Sequence, residues 1–164
     1  MTPSEIEKAG LLPWLNKVSE LSLANIKSGK GGPFAALVVR NGELIAEATN
    51  QVLQDNDPTA HAEMVAIRKA CLVLGQFQLD DCILISSCEP CPMCLGAIYW
   101  ARPKAVYFCN DRVEAAEIGF DDNLIYTEIN LKPSERKIPF IVVPFEGAKK
   151  AFQLWKDKAD KTQY

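Results

Sequence analysis

A chain of 164 residues can bury roughly 70% of the surface it exposes when unfolded, so one domain spanning residues 1–164 is expected. Hydrophobic residues make up 48% and charged residues 24%, an ordinary globular balance, and no apolar run approaches the roughly 20 residues of a membrane helix. Eighteen basic residues against 21 acidic ones leave a net charge of −3, which speaks against a phosphate-backbone partner and so against nucleic acid.

The N-terminal run from Met1 to Glu7 is acidic and lacks the basic-then-apolar layout of a signal peptide, so a cytoplasmic protein is expected. From Ser4 to about Lys27, Leu11, Leu12, Leu15, Val18, Leu21 and Ile26 recur at helical spacing, with Pro13 marking a break or a turn. Ser28 to Pro33 is a loop without phosphate-binding spacing. Two β-prone runs, Phe34 to Arg40 and Glu43 to Asn50, flank Asn41-Gly42, the favoured pair for a type I′ hairpin. Asp57-Pro58-Thr59 predicts a helix start, Met64, Ile67, Cys71 and Leu74 its buried stripe, and Gly75 its end.

Cys82 to Ser87 predicts a strand, Pro90 to Ala101 a helix, Ala105 to Cys109 a strand and Val113 to Ile118 a short helix. Ile138 to Val143 predicts a last strand, and Ala148 to Lys161 a last helix carrying Phe152 and Trp155. Its lysines 149, 150, 156, 158 and 161 are interrupted by Asp157 and Asp160, as on a solvated face. This order suggests a three-layer α/β/α fold around a mixed sheet of about five strands.

Six cysteines would suit a disulfide framework only in a small secreted chain. Cys71, Cys82 and Cys109 sit in apolar runs and read as core residues, whereas Cys88, Cys91 and Cys94 cluster. Cys91 and Cys94 fall on one face of a first helical turn, where the helix dipole favours thiolates. His61 is the chain's single histidine, and it opens His61-Ala62-Glu63 at another helix entry. With Pro90-Cys91-Pro92-Met93-Cys94 this gives H-x-E…P-C-x-x-C, the pattern of zinc deaminases of nucleobases and nucleosides. His61, Cys91 and Cys94 are then ligands of one zinc ion per chain, with Glu63 as general acid and base. A closed structural knot that adds Cys88 as fourth ligand is the alternative, and it leaves Glu63 without a role; a redox Cys-x-x-Cys leaves both His61 and Glu63 unexplained. One constraint follows. Residues two apart on a helix point roughly 200° from each other, so His61 and Glu63 share a metal only if His61 lies at an irregular entry.

The chain resembles the bacterial guanine deaminases of the cytidine-deaminase superfamily along essentially its whole length. The resemblance is carried by Gly31 to Phe34, Asn56 to Glu63, Ser87 to Trp100, Glu114 to Asp122 and Tyr164. It implies hydrolysis of guanine to xanthine and ammonia in a homodimer. It also implies that Phe34 stacks on the base, that Asn50 and Ala62 line its edge, and that Glu114 lies near the amine as base-reader or second catalytic proton carrier. In the resembling family a C-terminal segment, here about residues 146–164 with Tyr164, folds over an active site and can be swapped between subunits. Guanosine deamination, tRNA adenosine deamination and a zinc-stabilised interaction module are the competing expectations. The first turns on whether the pocket admits ribose, and the second needs a basic RNA-gripping surface.

Overall fold

The computed structural model describes residues 1–8 and 10–163. Chain contacts divide it into two compact units, residues 1–122 and 123–164.

The first unit is built on a mixed sheet in the order β2-β1-β3-β4. Its strands are β1 (Ala35–Arg40), β2 (Glu43–Thr49), β3 (Cys82–Cys88) and β4 (Ala105–Asn110). β1 runs antiparallel to β2 and to β3, while β3 and β4 are parallel. Asn41 and Gly42 both have positive φ, as a type I′ turn requires, so the predicted hairpin is present. β1 is central and buried on both faces, which explains its unbroken apolar run Ala35-Ala36-Leu37-Val38-Val39.

Side-chain alternation along β1 sends its residues into two cores. Ala36 and Val38 join Ala46, Ala48 and Leu84 under α4 (Ala62–Leu74) and α5 (Pro92–Ala101), which contribute Val65, Ala66, Ala70, Ile98 and Ala101. Ala35, Leu37 and Val39 join Ile85 under Leu11 and Val18 of the opposite layer, at α2 (Leu12–Ser28). These are the three expected layers. α5 is the crossover between the parallel strands β3 and β4.

Several predicted boundaries move. The first predicted helix is two, α1 (Pro3–Lys8) and α2, and Pro13 sits in the first turn of α2, where a missing N–H costs nothing. A short α3 (Val52–Asp55) follows the hairpin. α4 begins at Ala62, five residues after Asp57, because Asp57 Oδ1 accepts hydrogen bonds from Thr59 N and Oγ1 at 2.7 and 2.8 Å and so closes a local turn. The fully buried stripe of α4 is Ala62, Glu63, Val65, Ala66 and Ala70, with Ile67, Cys71 and Leu74 at its margin. α6 (Arg112–Glu117) ends the helices of this unit.

The second unit contains α7 (Asn123–Ile129), a 3-10 turn (Pro133–Glu135) and α8 (Glu146–Asp157). Ile138 to Val143 forms no strand, so the described residues hold four strands where five were expected. Composition alone makes no strand: a ladder partner is needed, and this run has none. No helix among the described residues is long and apolar enough to cross a membrane.

Leu84 is 1% exposed on the inner strand β3, and Leu72 is 83% exposed on α4. Leu84→Ala should lower stability by about 2–5 kcal/mol in urea unfolding, and Leu72→Ala by no more than about 0.5 kcal/mol.

Candidate metal centre and active site

Two helix entries build the site. At the first, Gln51 N donates to Ala60 O at 2.9 Å and His61 N to Thr59 O at 2.8 Å, which hold the approach to α4 in a fixed turn. His61 is the N-cap residue, with extended backbone at φ −65° and ψ 153°, and its ring makes no capping bond. Glu63 is already helical. The irregular entry demanded by the two-residue spacing is therefore present.

At the second entry, β3 ends at Cys88, and Glu89 N donates to Asn110 O of β4 at 2.8 Å. Cys91 is the N-cap of α5, extended at φ −62° and ψ 168°, with Pro92 in the first turn and Cys94 one turn in and fully buried. His61 Nδ1 lies 3.5 Å from Cys91 Sγ and 3.6 Å from Cys94 Sγ. All three donor atoms fall within 4.8 Å of one another.

These separations fit zinc. Bonds of about 2.3 Å to sulfur and about 2.0–2.1 Å to nitrogen at a tetrahedral angle put nitrogen and sulfur about 3.6 Å apart. The two sulfurs titrate unequally. A hydrogen bond from the Cys94 thiol, followed by one from His61, holds Cys91 down to about 4, and the same bond to Cys91 pushes Cys94 up. His61 is raised from its ordinary value by its hydrogen bond to Cys91.

Cys88 stands apart. Its Sγ faces Asp111 O at 3.8 Å, and burial pushes its thiol up to about 11. It is not among the clustered donors, so the closed four-ligand knot has no geometric support among the described residues.

Glu63 is 6% exposed, and Oε1 accepts a hydrogen bond from Ser86 Oγ at 3.3 Å. Burial raises its carboxyl above the usual range. A buried carboxylate with one hydroxyl partner, beside two sulfurs, is placed to hold or pass a proton.

The other candidates occupy varied settings. Phe34 meets Phe120 edge-on, ring centroids 4.8 Å apart and planes at 88°. Asn50 N donates to Phe34 O at 2.9 Å, which ties the two residues together. Asn50 is buried, its side-chain oxygen accepts from Val52 N at 3.2 Å, and its amide nitrogen has no partner among the described residues. The Ala62 side chain belongs to the core, so its backbone alone is available to a ligand. Glu114 completes a capping box on α6: Oε2 accepts from Asp111 N at 2.8 Å, and Glu114 N donates to Asp111 Oδ1 at 2.9 Å. Phe34 and Glu114 also line a cavity of about 330 Å³ with Ser22, Ser87 and Cys88, which none of the three metal donors lines. Tyr164 lies outside the described residues.

Sequence reasoning missed Ser86 as the partner of Glu63 and Phe120 as the partner of Phe34. Strand alternation could have found Ser86, which shares a face with Leu84 of the core beneath α4.

A family model described as the cytidine and deoxycytidylate deaminase zinc-binding region matches residues 13–110. Guanine deaminase of Bacillus subtilis is 54% identical over 151 residues, covering 92% of this chain and 97% of that one. Its crystal structure superposes with a TM-score of 0.89 at 51% identity, over 100% of this chain and 99% of the other. A guanine deaminase structure from Nitrosomonas europaea gives a TM-score of 0.63 at 36% identity, over 66% and 63% of the two chains. The tRNA-specific adenosine deaminase of Aquifex aeolicus is 45% identical over 76 residues, 46% of this chain and 50% of that one.

Metal analysis of the purified chain should give about one zinc per chain. His61→Ala and Cys94→Ala should lose it, and Cys88→Ala should retain it. Loss of zinc in Cys88→Ala would restore the closed knot.

Proposed function

The chain belongs to the cytidine and deoxycytidylate deaminase family, and we propose that within it the protein hydrolyses guanine to xanthine and ammonia. The observation that carries the reading is the pairing of three metal donors with the buried Glu63 at two converging helix entries. Guanine as the substrate draws its support from the near full-length similarity to a guanine deaminase.

His61 Nδ1, Cys91 Sγ and Cys94 Sγ would hold zinc, which when bound would supply a Lewis acid that brings the pKa of a water molecule towards neutrality. Glu63 would accept a proton from the attacking water and pass it to ring nitrogen 3, then take the second proton from the hydroxyl now on carbon 2 and deliver it to the amine, which leaves as ammonia while the carbonyl forms. One water is consumed and one ammonia released. Ser86 holds the Glu63 carboxyl through Oε1. Phe34 offers its ring to the flat base, and the free amide of Asn50 offers donors to the guanine carbonyl. The backbone of Ala62 faces the base edge, and Glu114 serves the leaving amine with the oxygen that the capping box does not use.

The working form in this reading is a cytoplasmic homodimer. None of the six cysteines is in a disulfide, as suits a reducing compartment. Phe152 and Leu154 of α8 are 82% and 74% exposed, and Ile141 to Val143 are exposed as well, an apolar surface that a partner subunit would cover. In this reading the segment of about residues 146–164 would close an active site.

The direct test is ammonia release from guanine, guanosine, adenine, cytosine, cytidine and a tRNA anticodon stem. Guanine should be turned over best, and Glu63→Gln should lower that turnover by roughly 100-fold or more with zinc retained. A higher rate on tRNA or cytidine would overturn the substrate assignment. A chain truncated before Lys158 should fold and hold zinc but lose most of its kcat/KM on guanine. Mixing it with inactive Glu63→Gln chains should restore activity if the segment acts across the dimer.

A further inference from the structure

Asn25 interrupts the apolar face of α2. It lies seven residues after Val18, on the same side of the helix, and is 5% exposed. A buried amide in that position must find partners or cost stability. Its Nδ2 donates to Gly32 O at 2.9 Å and to Asn50 O at 3.1 Å, so a single amide nitrogen bridges two segments that are otherwise distant in sequence.

Each bridged carbonyl is tied closely to a residue that faces the base in the reading above. Phe34 N donates to Gly32 O at 2.8 Å, and Asn50 N donates to Phe34 O at 2.9 Å. The next residue, Gln51, bonds to Ala60 O beside His61. A chain of short hydrogen bonds thus runs from Asn25 through the Phe34 and Asn50 backbones to the entry of α4. Ser22, one turn earlier on α2, adds a bond from Oγ to Pro33 O at 2.5 Å.

Gly31 permits the crossing. A Cβ there would stand 2.4 Å from Asn50 O and 2.9 Å from Asn25 Nδ2, too close for either. The backbones of the glycine loop and of Asn50 pass at a distance that needs both a missing side chain at Gly31 and a donor at Asn25.

We infer that Asn25 is a positioning residue, which sets the spacing of Phe34 and Asn50 relative to the metal donors and so governs capture of the base. The inference rests on the guanine reading, because Phe34 and Asn50 matter to it as base contacts. Among the described residues the Asn25 side chain bonds to Gly32 and Asn50 and not to the donors or Glu63, so the proton-transfer step should survive its loss. A clamp that served folding alone would lower stability and leave KM where it is.

The test is steady-state kinetics on guanine for the parent chain, Asn25→Ala and Gly31→Ala, with zinc content and thermal unfolding of each. Gly31→Ala forces the same crossing apart from the opposite side and keeps the test alive if Asn25→Ala folds poorly. Both variants should raise KM about tenfold while kcat stays within about threefold and zinc stays at about one per chain. A KM within about twofold of the parent in folded, zinc-loaded variants overturns the inference, as does a fall in kcat with KM unchanged. A parent chain that releases no ammonia from guanine overturns the guanine reading and this inference with it. An active parent with unmoved variants overturns the inference alone.

Discussion

The site depends on two helix N-termini meeting with an extended residue at each tip. His61 and Cys91 are both N-caps with ψ near that of a strand, and this lets each side chain leave the helix axis and turn towards the other. Glu63 and Cys94 then follow within the first turn, where side chains crowd around the same point. Ser, Thr, Asp and Asn are the residues that favour this position in ordinary helices, and a side-chain cap contributes about 1 kcal/mol. Neither His61 nor Cys91 makes a capping bond, whereas Asp111 of α6, away from the donors, makes a full capping box. The two helices that carry the candidate metal donors give up a stabilisation that α6 keeps. The positive ends of α4 and α5 converge on the donors instead, where they favour thiolate over thiol.

The sheet makes that convergence possible. β1 and β3 are adjacent, α5 leaves directly from the end of β3, and α4 lies across β1 and β2 over the core of Val38, Ala46, Ala48 and Leu84. Small residues dominate the contact: Ala62, Ala66 and Ala70 let α4 approach closely, so its N-terminus reaches the end of β3 and Glu63 meets Ser86. On the other face, Val18 packs on Leu37 and Ile85 while Asn25 and Ser22 grip the loop from Gly31 to Phe34. The donors are thus placed by one layer, while the loop before Phe34 and the Asn50 backbone are gripped from the other.

Features fixed by local chemistry were legible in the sequence, and features fixed by a distant partner were not. Asn41-Gly42 dictates its own turn, and the H-x-E and C-x-x-C spacings identify donors because each half is compact along the chain. The start of α4 was misread because Asp57 and Pro58 look like a cap and a first turn. Asp57 instead spends its carboxylate on Thr59, and the chain stays non-helical through His61. Ile138 to Val143 has the composition of a strand, but strand formation depends on a ladder that composition cannot supply. Asn25 and Ser86 went unnoticed for a related reason: a lone polar residue on an apolar face gains meaning only from carbonyls or carboxyls brought to it by the fold.

At the two helix entries, metal binding works against local preference. Serine at position 91 would cap α5 better than cysteine, and asparagine at position 61 would cap α4 better than histidine. Either would strip a soft or nitrogen donor from the triad and leave a helix that is locally better and chemically empty. Glu63 shows the same conflict in the core. A carboxyl buried beside sulfurs and held by Ser86 is a costly residue for packing, and in the proposed reaction it is the group that moves the proton. Natural sequences agree across levels of structure except where chemistry requires otherwise, and in this chain the disagreements gather at two helix entries about thirty residues apart. Local signals that read as poor helix starts therefore coincide with the clustered metal donors.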